Sequence, residues 1–319
     1  MQLQKIISRL APFLALTLVF LLFVILNTAK GNHEFFSFYN IKTIFTQTVI
    51  VGIAALGMTF IIISKGIDLS AGSQIALGTV VVALVLNATN NALLAALAGI
   101  LACMFCGFLI GSVVSAFGIV PFIVTLGMMQ IARGTAKYFA KEQTVTTAEN
   151  AISPLMVIPL DDSWLIFAPG VWILGLLLIL TSILLKYTVF GRYVFAIGSN
   201  EETARLCGIN VKFYKIAIYA LGAVFTGIAS VMQFANLTVG DPTAANGMEL
   251  DIIAAVVIGG GSLNGGEGTA QGAILGALMI QVLRNGCNML GVPNYVQEII
   301  IGIIIIGAVL VDKLRHKQA

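Results

Sequence analysis

Charge is what this chain of 319 residues has least of. Asp, Glu, Lys and Arg make up 10% of it, whereas a typical soluble domain has about 25%. Hydrophobic residues make up 59%, against roughly 45–50% in soluble chains. A soluble fold of this size could not hide so much apolar surface behind so few charges. The shortage excludes a disordered tail and a nucleic-acid-binding protein, and it indicates a polytopic helical membrane protein.

The sequence is also short of residues that carry chemistry. Its four cysteines are too few for a secreted disulfide scaffold, and its two histidines, His33 and His316, cannot assemble a metal cluster. The glycine-rich segment GGGSLNGGEGT at 259–269 lacks the Gly-Lys-Ser/Thr ending that grips phosphate in a P-loop. We therefore expect no catalytic residue, no metal, no cofactor and no ATP site in this chain.

Long apolar runs are what the sequence does have. A helix that spans a membrane needs about 20 apolar residues, and such runs follow one another along the chain. They predict an all-α polytopic membrane protein with about ten transmembrane helices in one transmembrane domain, residues 1–319, beginning with an uncleaved span. The eighth run is too short to cross unless it is broken or re-entrant. The predicted spans are 10–27, 44–64, 74–90, 92–115, 121–140, 164–187, 214–237, 250–261, 269–290 and 295–311.

The few charges orient the predicted spans. Eleven of the 17 Lys and Arg residues lie at the amino end, at Lys65, between 186 and 215, or at the carboxyl end. The segments 141–163 and 238–251 are acidic instead. Because positive charge collects on the cytoplasmic side of a membrane protein, we expect both termini in the cytoplasm and an even number of spans.

Two polar segments interrupt the apolar runs. GIDLSAGS at 66–73 follows the second span, and GGGSLNGGEGT at 259–269 follows the eighth. A run rich in small residues comes after each of them. We interpret this similarity as the trace of a duplication in which spans 2–5 and spans 7–10 run in opposite directions, as inverted repeats do.

Charged residues inside the predicted spans are rare. Arg133, Lys137 and Lys141 are spaced by four and share one helix face near its outer end. Two interpretations stay open for them: they snorkel to the membrane interface, or they form a polar wall along a pathway. Arg284 and Glu298 lie near the outer ends of spans 9 and 10 and are candidates for an ion pair.

The loop between spans 6 and 7 is the most informative stretch. Ser199, followed three residues later by Glu202, fits a capping box that begins a helix. Glu201 and Arg205 form a favourable i, i+4 pair, and Gly208 supplies the left-handed residue that ends a helix. We predict a short helix over 200–207. Since a helix so short is unstable alone, it must rest on the protein's own helices or on a soluble partner.

Five motifs cover most of the chain, from about residue 44 to the end. The motifs are GMTFIIISKGIDLSAGS (57–73), VPFIVTLGMMQIARG (120–134), GRYVFAIGSNEETARLCGINV (191–211), ELDIIAAVVIGGGSLNGGEGT (249–269) and RNGCNMLGV (284–292). Together they resemble the membrane permease subunits of ATP-binding cassette importers for monosaccharides, the ribose-type branch.

The resemblance implies a type II importer-like fold in the inner (cytoplasmic) membrane and a set of partners. These are cytoplasmic ATPase subunits that hydrolyse ATP, a periplasmic sugar-binding protein, and a second permease copy in a homodimer or a related heterodimer. We expect the binding protein on the acidic loops 141–163 and 238–251, membrane lipids around the bundle, and no nucleic acid. The implied function is import of ribose or a related sugar. The alternative is a secondary carrier or channel for a small polar solute.

The resemblance also implies roles for particular residues. In such importers an inner loop, here about 188–213, carries a coupling helix that docks on the ATPase. The E-A-A-x-x-x-G pattern of that helix falls on Glu202, Thr203, Ala204 and Gly208, with Thr203 in place of the middle alanine. The candidate docking residues are Ser199, Asn200, Glu201, Glu202, Thr203, Ala204, Arg205 and Gly208. The candidates for the translocation region are Gly66, Asp68, Ser70 and Arg133, and we expect Asp68 to cap the helix that follows it.

Overall fold

The computed structural model describes residues 2–159 and 165–317, and it is helical over most of that length. Two short 3-10 turns, Glu34–Phe36 and Ser153–Met156, and two strands, β1 (Val145–Thr146) and β2 (Val239–Gly240), accompany the helices. The helices within these residues are α1 (Gln2–Ala29), α2 (Phe38–Ile63), α3 (Ala71–Thr89), α4 (Ala92–Phe117), α5 (Pro121–Ala140), α6 (Pro169–Tyr187), α7 (Val189–Ser199), α8 (Glu201–Leu206), α9 (Val211–Leu237), α10 (Met248–Ile258), α11 (Ala270–Met289) and α12 (Asn294–Lys317).

Each predicted span coincides with a helix over the residues that the structure describes, so the helical fold class is confirmed. In that part of the chain, six helices are long and apolar enough to cross a membrane: α2, α3, α4, α6, α9 and the Pro12–Ala29 part of α1. Helices α5 and α11 have 20 residues each but are less apolar. Helix α10 has only 11 residues, as its short apolar run predicts.

Helices α2 and α9 form the centre of the bundle, and most of their side chains are buried. They cross so closely that a Cβ on Gly57 would overlap the Gly222 carbonyl oxygen. The rings of Phe60 and Phe225 lie 6.1 Å apart nearby. Small residues allow transmembrane helices to approach in this way, and the resulting van der Waals packing replaces the hydrophobic effect that lipid cannot supply.

The other helices surround this central pair. Helices α3 and α4 pack against α9, while α10 and α11 pack against α2. Helix α11 is enclosed further by α1 and α6. Helix α5 packs on α3 and α4, and α12 packs on α10 and α11, so both lie at the margin of the bundle.

The bundle has two ends, which we name by the elements that they carry. The inner end carries α7 and α8. The outer end carries β1 and β2, which pair antiparallel with Val145 opposite Gly240 and Thr146 opposite Val239. This pairing joins the acidic segment 238–251 to the described part of the acidic segment 141–163.

Both interruptions of the apolar pattern contact the end of α2 at the inner end. The Gly266 amide donates to the Ile63 carbonyl at 2.8 Å, which brings 259–269 against the end of α2. Equivalent positions of an inverted repeat lie at opposite ends of a bundle. The duplication in which spans 2–5 and spans 7–10 run in opposite directions stays a prediction.

Candidate functional site

Asn200 separates the two helices of the inner end. Its backbone is extended, with φ −156°, and its side-chain oxygen accepts a hydrogen bond from the Thr203 amide at 2.9 Å. Asn200 is therefore the N-cap of α8. The capping box predicted at Ser199 is wrong, because Ser199 is the last residue of α7, a helix that the sequence interpretation missed.

The carboxyl end of α8 follows the prediction. Gly208 adopts the left-handed conformation, with φ +84°. The Gly208 amide donates to the Arg205 carbonyl at 3.0 Å, and the Ile209 amide donates to the Ala204 carbonyl at 3.1 Å. This is the hydrogen-bond pattern of a Schellman motif, in which glycine avoids the steric cost of positive φ. Helix α8 thus has a defined beginning and a defined end.

Helix α8 rests on its neighbours through one small face. Ala204 is buried against Ile197 of α7 and Val211 of α9. Glu202 and Thr203 are exposed, and Leu206 is 88% exposed. The sequence interpretation did not select Leu206, although an apolar residue in a polar two-turn helix is a signal that could have identified it.

Glu201 links α8 to α9. One carboxylate oxygen lies 2.6 Å from Nζ of Lys215, and the other lies 3.4 Å from a guanidinium nitrogen of Arg205. The Glu201–Arg205 pair confirms the predicted i, i+4 contact. Because these side chains are partly exposed, each pair contributes only about 0.2–1 kcal/mol, and the pairs orient the helix more than they stabilise it.

The backbone of α7 touches two other segments at a point that we call the inner junction, formed by Gly198, Ile63 and Gly266. A Cβ on Gly198 would overlap the Ile63 carbonyl oxygen and crowd the Gly266 amide. The inner junction therefore connects α7 directly to the end of α2 and to the 259–269 segment. Movement of α7 cannot leave those two segments in place without breaking this contact.

Asp68 and Ser70 lie in the irregular segment between α2 and α3. The buried Asp68 carboxylate accepts from the Ser70 amide at 2.8 Å and from the Ser70 hydroxyl, and Gln74 donates to it at 3.3 Å. The prediction that Asp68 caps α3 is wrong. Its carboxylate accepts hydrogen bonds from Ser70, the residue before the helix, and α3 has no side-chain cap among the described residues. Gly66 lies nearby, against the Tyr219 hydroxyl.

Arg133 on α5 binds the backbone of the outer segment that follows β2. Its Nη1 donates to the carbonyl of Pro242 at 3.0 Å and to that of Ala244 at 2.7 Å. The side chain is half-buried. These bonds tie the guanidinium to the protein's own backbone, so Arg133 does not snorkel away from the bundle.

Arg133 also lines a cavity of about 190 Å³. The cavity brings α5, the start of α3 and the amino end of α10 together, whereas Gly66, Asp68 and Ser70 do not line it. Of the predicted translocation candidates, only Arg133 lines this cavity. The segment that holds the other three reaches it only through Ser73, in the first turn of α3. The other polar residues that line the cavity are Gln130, Lys137, Thr243, Asn246 and Glu249.

A second polar cluster lies at the outer end, around Arg284. Its Nη2 donates to Asp251 at 2.7 Å, and the described residues show no ion pair between Arg284 and Glu298. The predicted pairing with Glu298 is therefore wrong, since α10 brings Asp251 closer to the guanidinium than α12 brings Glu298.

Comparisons with known proteins agree with the resemblance in the motifs. Residues 40–309 match the family described as branched-chain amino acid transport system / permease component. The chain is 38% identical over 309 residues to the ribose import permease protein RbsC of Escherichia coli (strain K12), covering 94% of each chain. No solved structure matches it.

Two further relatives cover most of the chain. The ribose import permease protein RbsC of Bacillus subtilis (strain 168) is 34% identical over 318 residues, covering 97% of this chain and 94% of the relative. The L-arabinose ABC transporter permease protein AraH of Azospirillum brasilense is 33% identical over 285 residues, covering 89% of this chain and 83% of the relative.

Proposed function

The chain belongs to the family of branched-chain amino acid transport system permease components, and from that premise we propose that it is the membrane-spanning subunit of an ATP-driven monosaccharide importer. The family description mentions amino acids, but the relatives that match nearly the whole chain carry the names of ribose and arabinose permeases. Ribose is therefore the first sugar to test. The protein resides in the inner membrane, and a partner ATPase subunit hydrolyses the ATP that drives import.

The observation that carries this proposal is the construction of α8. The helix is capped at Asn200, closed at Gly208 and seated by Ala204, yet it leaves Leu206 almost fully exposed. An apolar side chain held outward by a fixed helix favours insertion into a groove of a partner protein. We assign α8 as the coupling helix and the cytoplasmic ATPase as that partner.

The inner junction supplies a route from α8 to the bundle. When ATP draws two ATPase subunits together, α8 and α7 move with them. Since Gly198 lies against both Ile63 and Gly266, that movement shifts the end of α2 and the 259–269 segment together. These segments then switch between two discrete packings, and the pathway opens in turn to each side of the membrane.

Topology follows from the same proposal. Ten spans with both termini in the cytoplasm place α7 and α8 inside and the β1–β2 pair outside, in agreement with the charge asymmetry. An inverted repeat gains support from two matching turns. Asp241 accepts from both the amide and the hydroxyl of Thr243 at 2.7 Å, as Asp68 does from Ser70. Each turn precedes a helix, α10 or α3.

The pathway runs along α5, between two copies of the chain. Helix α5 leaves Gln130 and Lys137 exposed, and Gly127 and Gly134 face open space. A polar and partly uncovered helix face is costly against lipid, so water and a second permease cover it. The Arg133 cavity opens on this face and offers the weak polar contacts that a passing sugar needs.

The outer acidic surface docks the binding protein. The β1–β2 pair holds the two acidic segments side by side, so Glu142 and Asp241 belong to one surface. A binding protein with basic residues around its cleft would be steered to this surface by charge. High affinity for sugar then resides in the binding protein, and the permease supplies passage.

Deletion of 200–208 tests the proposal. We expect the deletion to abolish sugar uptake by cells while the bundle remains folded in the membrane and still forms its permease dimer. Normal uptake by the deletion variant would refute it. Transport by the purified chain alone in liposomes under an ion gradient, without any ATPase, would establish the secondary carrier or channel instead.

A further inference from the structure

The outer end contains a cavity of about 710 Å³ inside a single chain, distinct from the Arg133 cavity on α5. It lies among α2, α9, α10, α11 and α12, and we call it the α11 cavity. Its volume is within the range of about 300–1,000 Å³ that small-molecule sites occupy. The polar residues that matter for the argument are Gln47, Gln233, Asn236, Gln281, Arg284 and Glu298.

Two amide side chains of the α11 cavity have no hydrogen-bond partner among the described residues. Gln233 on α9 is 7% exposed and Gln281 on α11 is 8% exposed, and both line the cavity. Neither side chain makes a hydrogen bond to any other group in the described part of the chain. Since both amides line the cavity and bind no protein group among the described residues, they are available to a ligand or to water.

Arg284 presents a third unused group. One of its nitrogens is engaged by Asp251 at 2.7 Å, but its Nε is buried and has no partner among the described residues. Glu298 lines the same cavity and supplies acceptor oxygens. The wall therefore offers both donors and acceptors, with one positive and two negative side chains, which disfavours an anionic ligand.

We infer that the α11 cavity binds a neutral polyhydroxylated solute, a monosaccharide, within each copy of the chain. Each sugar hydroxyl both donates and accepts, so one sugar can satisfy the amides of Gln233 and Gln281 together with Nε of Arg284. This inference rests on the proposed function, because it takes the substrate class from it. It adds a site inside each protomer to the pathway between the two copies.

A cysteine reporter tests occupancy of the cavity. Asn236 is exposed and lines the cavity, so we use Asn236→Cys in right-side-out vesicles and measure its labelling by a membrane-impermeant maleimide. Among the native cysteines, three are buried and Cys207 lies on the inner side. We expect the transported sugar, chosen from D-ribose, L-arabinose, D-xylose and D-galactose, to slow labelling. Glycine betaine at equal osmolarity should leave the rate unchanged.

An exposed position outside the cavity provides the matched reporter. Asn87→Cys at the outer end of α3 should react at the same rate with and without sugar. Equal slowing at both positions, or no slowing at Cys introduced at 236, overturns the inference.

A pair of near-isosteric variants on one helix measures the contribution of the amide. We expect Gln281→Met to raise the sugar concentration for half-maximal protection on the order of tenfold, as loss of a buried hydrogen bond predicts. Gln271→Met, on the same helix but exposed, should leave that concentration unchanged. If Gln281→Met fails to fold, Gln233→Met gives the same readout from α9. Equal protection constants in the folded variants would refute the site.

Sugar uptake separates failure of this inference from failure of the proposed function. Cells that lack this chain are complemented with it, and uptake of the four radiolabelled sugars is measured. Uptake of one sugar without protection of the 236 reporter refutes the α11 cavity alone. Absence of uptake of all four sugars by cells that express the complete importer refutes the proposed function and, with it, the substrate class assigned to the cavity.

Discussion

The inner and outer ends of this bundle are packed in different ways. At the inner junction, the backbones of α7, α2 and the 259–269 segment touch, and Gly198 has no room for a single Cβ. At the outer end, five helices, including α2, diverge around a cavity of about 710 Å³. Close-packed segments move as one body, whereas a cavity can change shape at little cost. Under the proposed function, the inner end would transmit force and the outer end would accept a solute.

The strongest test of this contrast places the same substitution at both ends. Gly198→Ala forces a methyl group into the inner junction, and we expect it to lower the free energy of unfolding by about 1–3 kcal/mol. Gly302→Ala on α12 meets open space beside the outer cavity and should change stability by less than about 1 kcal/mol. Unfolding of both variants in mixed micelles measures the difference. Equal losses would show that the two ends are packed alike.

The second test concerns binding of the partner to the inner end. We expect Leu206→Ser to weaken binding of the ATPase by about 2 kcal/mol, since a leucine that is buried on docking contributes about 1.5–3 kcal/mol. Leu93→Ser removes another exposed leucine, 71% exposed, at the outer end of α4. It should leave the affinity unchanged. Binding of purified ATPase to the chain in nanodiscs provides the measurement, and equal affinities of both variants would exclude Leu206 from the contact.

The third test distinguishes two neighbouring polar residues at the start of α8. Asn200→Ala removes the observed cap and should destabilise α8 by about 1 kcal/mol. Amide hydrogen exchange at Thr203 should then accelerate. Ser199→Ala should leave that exchange unchanged, because the Ser199 hydroxyl does not cap the helix. The opposite result would restore the capping box that the sequence pattern favours.

The smallest expected effect concerns the ion pair between α8 and α9. Lys215→Met removes the 2.6 Å contact with Glu201, and we expect a loss of about 0.5 kcal/mol at low salt. Added salt should abolish the difference from the parent chain, because the pair is partly exposed and screened. A loss that persists at high salt would indicate a buried structural role for Lys215.

The helical framework was largely predictable, and the local contacts were not. Apolar runs located all ten predicted helices because burial in lipid and the need to satisfy every backbone group demand such runs. The Ser199–Glu202 pattern predicted the wrong N-cap for α8, since α7 extends through Ser199 and occupies the residue that a capping box needs. Arg284 was assigned to Glu298 by sequence proximity, yet Asp251 on α10 lies at hydrogen-bond distance. The amides of Gln233 and Gln281 carry no pattern of their own, whereas Leu206 was identifiable as an apolar residue in a polar helix.

The sequence by itself determined that this is a helical membrane protein, the positions of the helices in the long apolar runs, and the Gly208 signal that ends α8. These depend on residues close together in the chain and on the solvent that lipid provides. Only the tertiary structure decided that the glycine-rich segment 259–269 lies against the end of α2, that β1 and β2 join the acidic loops, and that two amides without a partner among the described residues line one cavity. Such features arise from residues far apart in the chain, whose contacts depend on how the helices cross.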